Sequence, residues 1–143
     1  MTNFLWKDGR SRIDYNSFGD VICFDTTYRT NKYNMICAPF VSVNHHWKNV
    51  FFGCAFLLDE TTASFIWLLE TFLELMENQK PKTIFIDQCQ AMKNAIRVVF
   101  PDTCHPYAYG ISQKMLQKIY QSIMGILNLR IDLIRFFIIM RLK

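Results

Sequence analysis

Two short apolar runs in this chain stop abruptly at a carboxylate. Val21, Ile22, Cys23 and Phe24 precede Asp25, and Thr83, Ile84, Phe85 and Ile86 precede Asp87. Continuous apolar runs of this length read as buried central strands. Between them, residues 34–43 and 49–58 are longer apolar stretches joined by the polar link Asn44-His45-His46-Trp47-Lys48, which has hairpin length. Pro39 lacks a ladder donor, so the first of these two strands is expected to carry a bulge or to form an edge there. Helical spacing takes over at 62–78. Phe65, Leu68, Leu69, Phe72, Leu73 and Met76 form one face, opposed by Glu70, Glu74 and Glu77, after a start signal in Asp59-Glu60-Thr61-Thr62. A second helix is predicted over 90–99, with Met92, Ala95, Ile96 and Val99 inward. Residues 4–20 read as a short strand, Phe4 to Trp6, followed by a turn-rich connector, and Cys104-His105 as the opening of another short strand.

The order strand, strand, strand, helix, strand, helix predicts an α/β fold. In it a three-strand antiparallel meander is followed by a helix, a strand parallel to the first, and a further helix. Residues 113–143 differ in character. Ile119, Ile123, Ile126, Leu127, Ile131, Ile134 and Ile138 have helical spacing, but Arg130, Asp132 and Arg135 interrupt the run, leaving it short of the ~20 apolar residues a membrane span needs. The expected division is a folded body over 1–112 and an apolar, basic, helical tail over 113–143, with no membrane partner.

At 143 residues, with 51% hydrophobic and 20% charged positions, the chain has room for one core and is excluded from the disordered class. The net charge of +4 resides in the tail. Residues 1–112 hold ten Lys/Arg against eleven Asp/Glu, whereas Lys114, Lys118, Arg130, Arg135, Arg141 and Lys143 face only Asp132. A basic face on the body, which nucleic-acid binding favours, is therefore not expected. The five cysteines are dispersed, with no CxxC pair and no signal peptide ahead of them, as expected in a reduced intracellular compartment.

The chemistry concentrates on Asp25 and Asp87. If the strands they end are parallel neighbours, both carboxylates emerge at the same sheet edge, at a separation of about 4–8 Å that suits shared Mg²⁺ or Mn²⁺ ions and in-line attack on phosphodiesters. An Asp after a strand also simply starts turns, and for either residue alone that is the commoner meaning. Glu60 is the local candidate for a third acid, since the third meander strand ends at the same edge as the first. Capping of the following helix is the favoured role for Asp59 and Glu60. Cys104-His105 has the form of half a zinc site, but Pro106, Tyr107, Ala108, Tyr109 and Gly110 follow where a second Cys/His pair would be needed. His45-His46 reads as an exposed hairpin link.

The run from Gly19 through Asp25, Thr26, Thr27, Tyr28, Arg29, Thr30, Asn31, Lys32 and Tyr33 resembles the opening of the MULE transposase domain, in the form found in the plant far-red-impaired-response family. Asn44-His45-His46, Phe52-Gly53-Cys54-Ala55, Asp59-Glu60-Thr61, Ser64 to Leu68, Asp87-Gln88 with Ala91-Met92, and Val99-Phe100-Pro101 continue the resemblance in order, over about 4–105. It implies a ribonuclease-H-like fold, incomplete here at its C-terminal end. It also implies a domesticated Mutator-type transposase acting as a nuclear transcription regulator, with DNA and nuclear proteins as partners. By position, Asp25 and Asp87 match the first two acids of the transposase triad, as vestigial catalytic and metal-binding residues. Cys104 and His105 match the start of a Cys/His segment whose continuation is absent. The third acid has no match, nor do the zinc-finger modules that hold zinc in full-length members. The expectation is a truncated, non-catalytic member, with a DDE-type metal-dependent transposase or nuclease as the alternative. Its open sheet edge would invite pairing with a second chain, so a dimer is among the expected assemblies.

Overall fold

The computed structural model describes residues 3–7, 9–24, 26, 35–46, 48–86 and 89–105. Eight elements follow one another: β1 (Phe4–Trp6), α1 (Ser11–Phe18), β2 (Val21–Phe24), β3 (Ile36–Val43), β4 (Asn49–Leu57), α2 (Thr62–Leu75), β5 (Thr83–Ile86) and α3 (Gln90–Val99). The strands form one mixed five-stranded sheet in the order β1-β4-β3-β2-β5. β2, β3 and β4 make the antiparallel meander, β1 pairs antiparallel with β4, and β5 lies parallel to β2.

Period-two alternation sorts the sheet residues by face. Ile22 and Phe24 of β2 and Ile84 and Ile86 of β5 are fully or almost fully buried and are register partners in the parallel ladder. They share one core with Ile36, Ala38 and Phe40 of β3, Phe52, Ala55 and Leu57 of β4, and the inner faces of the helices. α2 contributes Phe65, Leu68, Leu69 and Phe72, and α3 contributes Met92, Ala95 and Ile96, as their spacing predicts; Leu73 and Val99 lie partly buried at the margin. Aromatic rings connect the layers. Phe40 stacks on Phe24 at 4.6 Å between centroids and on Phe72 at 3.9 Å. Phe65 meets Phe24 edge-on, and Tyr15 meets both Phe72 and Phe52 edge-on.

Two details depart from the sequence expectation, and a third, at Pro39, follows one of its two alternatives. The connector after β1 contains a helix, α1. Its N-cap position is Arg10, which makes no side-chain capping bond, so the usual start signal is missing. The helix is held instead by Tyr15, whose hydroxyl donates to the Gln79 carbonyl at 3.0 Å. Second, α2 ends at Leu75 rather than continuing to Asn78, because Glu77 and Asn78 adopt left-handed backbone angles (φ 56° and 61°) and the Asn78 N–H turns back to the Leu73 carbonyl. Third, β3 is an interior strand. The irregularity expected at Pro39 takes the form of a register shift between Phe40 and Val41 against β4, not of an edge. After α3 the chain returns to β5, where Thr83 and Cys104 form an isolated parallel bridge. Residues 106–143, including the tail over 113–143, lie outside the described residues.

Gly19 closes α1 where the chain turns into β2. A Cβ there would meet the Tyr15 carbonyl oxygen at 2.5 Å and its ring at 2.6 Å. Gly19→Ala is expected to lower unfolding free energy by about 1–3 kcal/mol, the usual range for forced overpacking, in urea titration. Phe40→Ala removes two ring stacks from a fully buried site. In the same titration it should cost about 3–5 kcal/mol, a larger loss than Gly19→Ala.

Candidate functional site

The candidate site is the sheet end where β2 and β5 both finish. Their last residues, Phe24 and Ile86, are direct partners in the parallel register and are almost completely buried. Asp25 and Asp87 are the next residues in sequence, and both lie outside the described residues. β4 runs antiparallel to β3 and β3 antiparallel to β2, so β4 also ends here.

Asp59 and Glu60, which follow β4, have different roles. Solvent-exposed Asp59 accepts from the Thr61 N–H at 3.2 Å, the Thr61 hydroxyl at 2.7 Å and the Ser64 hydroxyl at 2.5 Å. Thr61 is the N-cap of α2 and accepts from the Ser64 N–H. Asp59 is thus part of the helix start, as its sequence context indicates. Glu60 instead points at the end of β2, where its Oε1 accepts a hydrogen bond of 2.9 Å from the Thr26 hydroxyl. Thr26 is the residue after Asp25. The contact places Glu60 at the same sheet end as Phe24 and Ile86, in agreement with the reading from strand direction. The sequence offered no sign that Thr26 would be its partner.

The other candidates separate cleanly. His45 and His46 are exposed in the β3–β4 hairpin, where the Asn44 side chain accepts the N–H groups of His46 and Lys48, and the His45 ring rests edge-on against Phe18. Cys104 is exposed and bonded through its backbone to Lys82 and Ile84. Among the described residues, no three His, Cys, Asp or Glu side chains converge as a metal site. Among the described residues, Glu60 is the carboxylate that reaches the end of β2, and Cys104 with His105 supplies at most two zinc ligands. The described residues therefore do not by themselves assemble a site for Mg²⁺, Mn²⁺ or zinc. No described helix is long and apolar enough to cross a membrane.

The hydrogen bonds from Ser64 and Thr61 hold the Asp59 carboxyl below its ordinary value of 3.8. Its contribution to stability is present above that value and is lost as the pH falls through the lowered folded value. Asp59→Asn should therefore destabilise the chain at neutral pH, and its difference from wild type should shrink under acid, as read by melting curves across the acid range.

Residues 21–110 match the MULE transposase domain family. Similar curated proteins from Arabidopsis thaliana include Protein FAR1-RELATED SEQUENCE 5, 42% identical over 118 residues, which are 82% of this chain and 15% of that protein. FAR1-RELATED SEQUENCE 4 is 42% identical over 75% of this chain and 15% of its own length. Protein FAR-RED IMPAIRED RESPONSE 1 is 40% identical over 76% of this chain and 13% of its own length. The chain thus spans about 15% of the length of the relatives it matches. Among solved structures, the catalytic core domain of BIV integrase is similar, with a TM-score of 0.45 and 12% identity over 71% of this chain and 64% of that one. By the family match and these identities, the chain belongs to the MULE transposase domain family and is related within it to the far-red-impaired-response proteins.

Proposed function

We propose that this chain is a transposase-derived regulatory domain with a ribonuclease-H-like sheet, working in the nucleus on transcription in the light-response pathway, without cutting DNA. The observation that carries this reading is its 40–42% identity to far-red-impaired-response relatives across three-quarters or more of its length. The absence of cleavage is supported by the near-neutral charge of residues 1–112, which gives this body little hold on a phosphate backbone. DNA contact in this reading comes from the basic tail and from modules of the longer relatives, because residues 1–112 carry no basic excess. Neutralising phosphate charge supplies most non-specific affinity, so a near-neutral body contributes little of it.

A second reading has one observation in its favour. The Phe24–Ile86 register and the Thr26–Glu60 hydrogen bond bring the ends of β2, β5 and β4 together. A DDE-type nuclease would use Asp25, Asp87 and Glu60 at that end to hold Mg²⁺ or Mn²⁺.

Incubating the full chain with supercoiled plasmid in Mn²⁺ separates the two. No nicking is expected. Nicking that Asp25→Asn abolishes would overturn the regulatory reading in favour of the enzyme. In a parallel binding titration on duplex DNA, weak, salt-sensitive association is expected. Replacing Lys114, Lys118, Arg130, Arg135, Arg141 and Lys143 with Gln should remove most of that association, and the slope of log affinity against log salt should flatten.

A further inference from the structure

The β3–β4 ladder brings together two cysteines that are far apart in sequence. Cys37 lies opposite Phe56, and Cys54 lies opposite Pro39. This makes the two thiols diagonal neighbours on one sheet face, within reach across adjacent strands. Neither belongs to the helix-side core, to which β3 and β4 contribute Ile36, Ala38, Phe40, Phe52, Ala55 and Leu57. Their sulfur atoms are 2.9 Å apart. Cys54 is 1% exposed and Cys37 6%, so a bond between them would form in a space nearly closed to solvent.

We propose that Cys37 and Cys54 are a redox-active pair that forms a cross-strand disulfide on exposure to a peroxide. Cys37, the more exposed of the two, gives up its proton and attacks a peroxide oxygen, breaking the O–O bond. Cys37 becomes a sulfenic acid, and the departing hydroxide is protonated to water. The Cys54 sulfur then displaces the hydroxyl from Cys37, forming the S–S bond. The Cys54 proton leaves with that hydroxyl as a second water. Two thiols and one hydrogen peroxide thus give one disulfide and two waters.

Burial, followed by the adjacent Cys37 thiol, raises the Cys54 thiol well above its usual range. Cys54 therefore stays protonated at neutral pH and does not meet the oxidant first; it gives up its proton only as it displaces the hydroxyl from the adjacent Cys37 sulfenic acid. The link would fasten β3 to β4 diagonally, from one residue pair in from Ile36 and Leu57 at Cys37 to three pairs in at Cys54, near the sheet end that carries Glu60. Oxidation would thereby stiffen that end of the β3–β4 ladder.

The test is to treat the reduced, folded full chain with hydrogen peroxide, block remaining thiols, and map peptides by mass spectrometry without reduction. The expected product is a Cys37–Cys54 linked peptide, two hydrogen atoms lighter than the sum of its parts and released by dithiothreitol. It should persist in a Cys23→Ser, Cys89→Ser, Cys104→Ser variant, and the oxidised chain should melt at a higher temperature than the reduced one. The proposal is overturned if Cys37 and Cys54 are both recovered as blocked thiols at doses that oxidise exposed Cys104. It is equally overturned if the disulfides formed in the folded chain match the mixture formed in guanidinium. The wild-type map decides the matter even where a Cys54→Ser variant does not fold.

Discussion

The fold depends on a line of aromatic contacts that runs from Phe65 through Phe24, Phe40 and Phe72 to Tyr15 and Phe52. These rings come from α2, β2, β3, α1 and β4. One connected set of contacts therefore ties a four-residue strand to the longer hairpin and to both helices that precede β5. A strand as short as β2 has little ladder of its own, and β3 meets it in only the pairs Cys23–Val41 and Phe24–Phe40. Phe24 compensates through its ring, held between Phe40 and Phe65. Such pairs each add about 0.5–1.5 kcal/mol beyond the area they bury. Phe24 is also the last residue of β2, so the core fixes the end of that strand.

The core was largely legible in the sequence because burial imposes period on residue choice. The inner faces of α2 and α3, the apolar runs of β2 and β5, and the β3–β4 hairpin follow directly from that period. α1 was not legible. It is eight residues long, places only Tyr15 and Ser11 in buried positions, and lacks a capping side chain at Arg10. Its existence rests on tertiary contacts with Phe52, Phe72 and Gln79 that no local pattern encodes. The end of α2 was missed for a related reason, since Glu77 and Asn78 take left-handed angles without the glycine that normally announces them.

The same division applies to the site. Strand direction alone put Glu60 at the sheet end where β2 finishes, and its hydrogen bond to Thr26 lies at that end. The Asp59-Thr61-Ser64 spacing made the capping role of Asp59 readable, because each of its partners lies within one helical turn. Thr26 as a partner for Glu60 was not readable, as it depends on where the chain goes after leaving β2. The juxtaposition of Cys37 and Cys54 is of the same kind. It follows from register, and a one-residue slip between β3 and β4 would send one thiol to the opposite face.

These observations separate what stabilises the domain from what could make it a catalyst. Ring stacking, the parallel ladder of β2 and β5, and the capped start of α2 involve none of the acids that a DDE reaction would need. Asp59, the carboxylate committed to structure, is not a triad candidate, while Glu60 is hydrogen-bonded to Thr26 at the margin of the sheet. A change at Glu60 would thus remove no core contact among the described residues. Under that condition the fold of a transposase domain can be kept whether or not cleavage is. Selection on the fold and selection on cleavage act on different residues, so either can be relaxed while the other is kept.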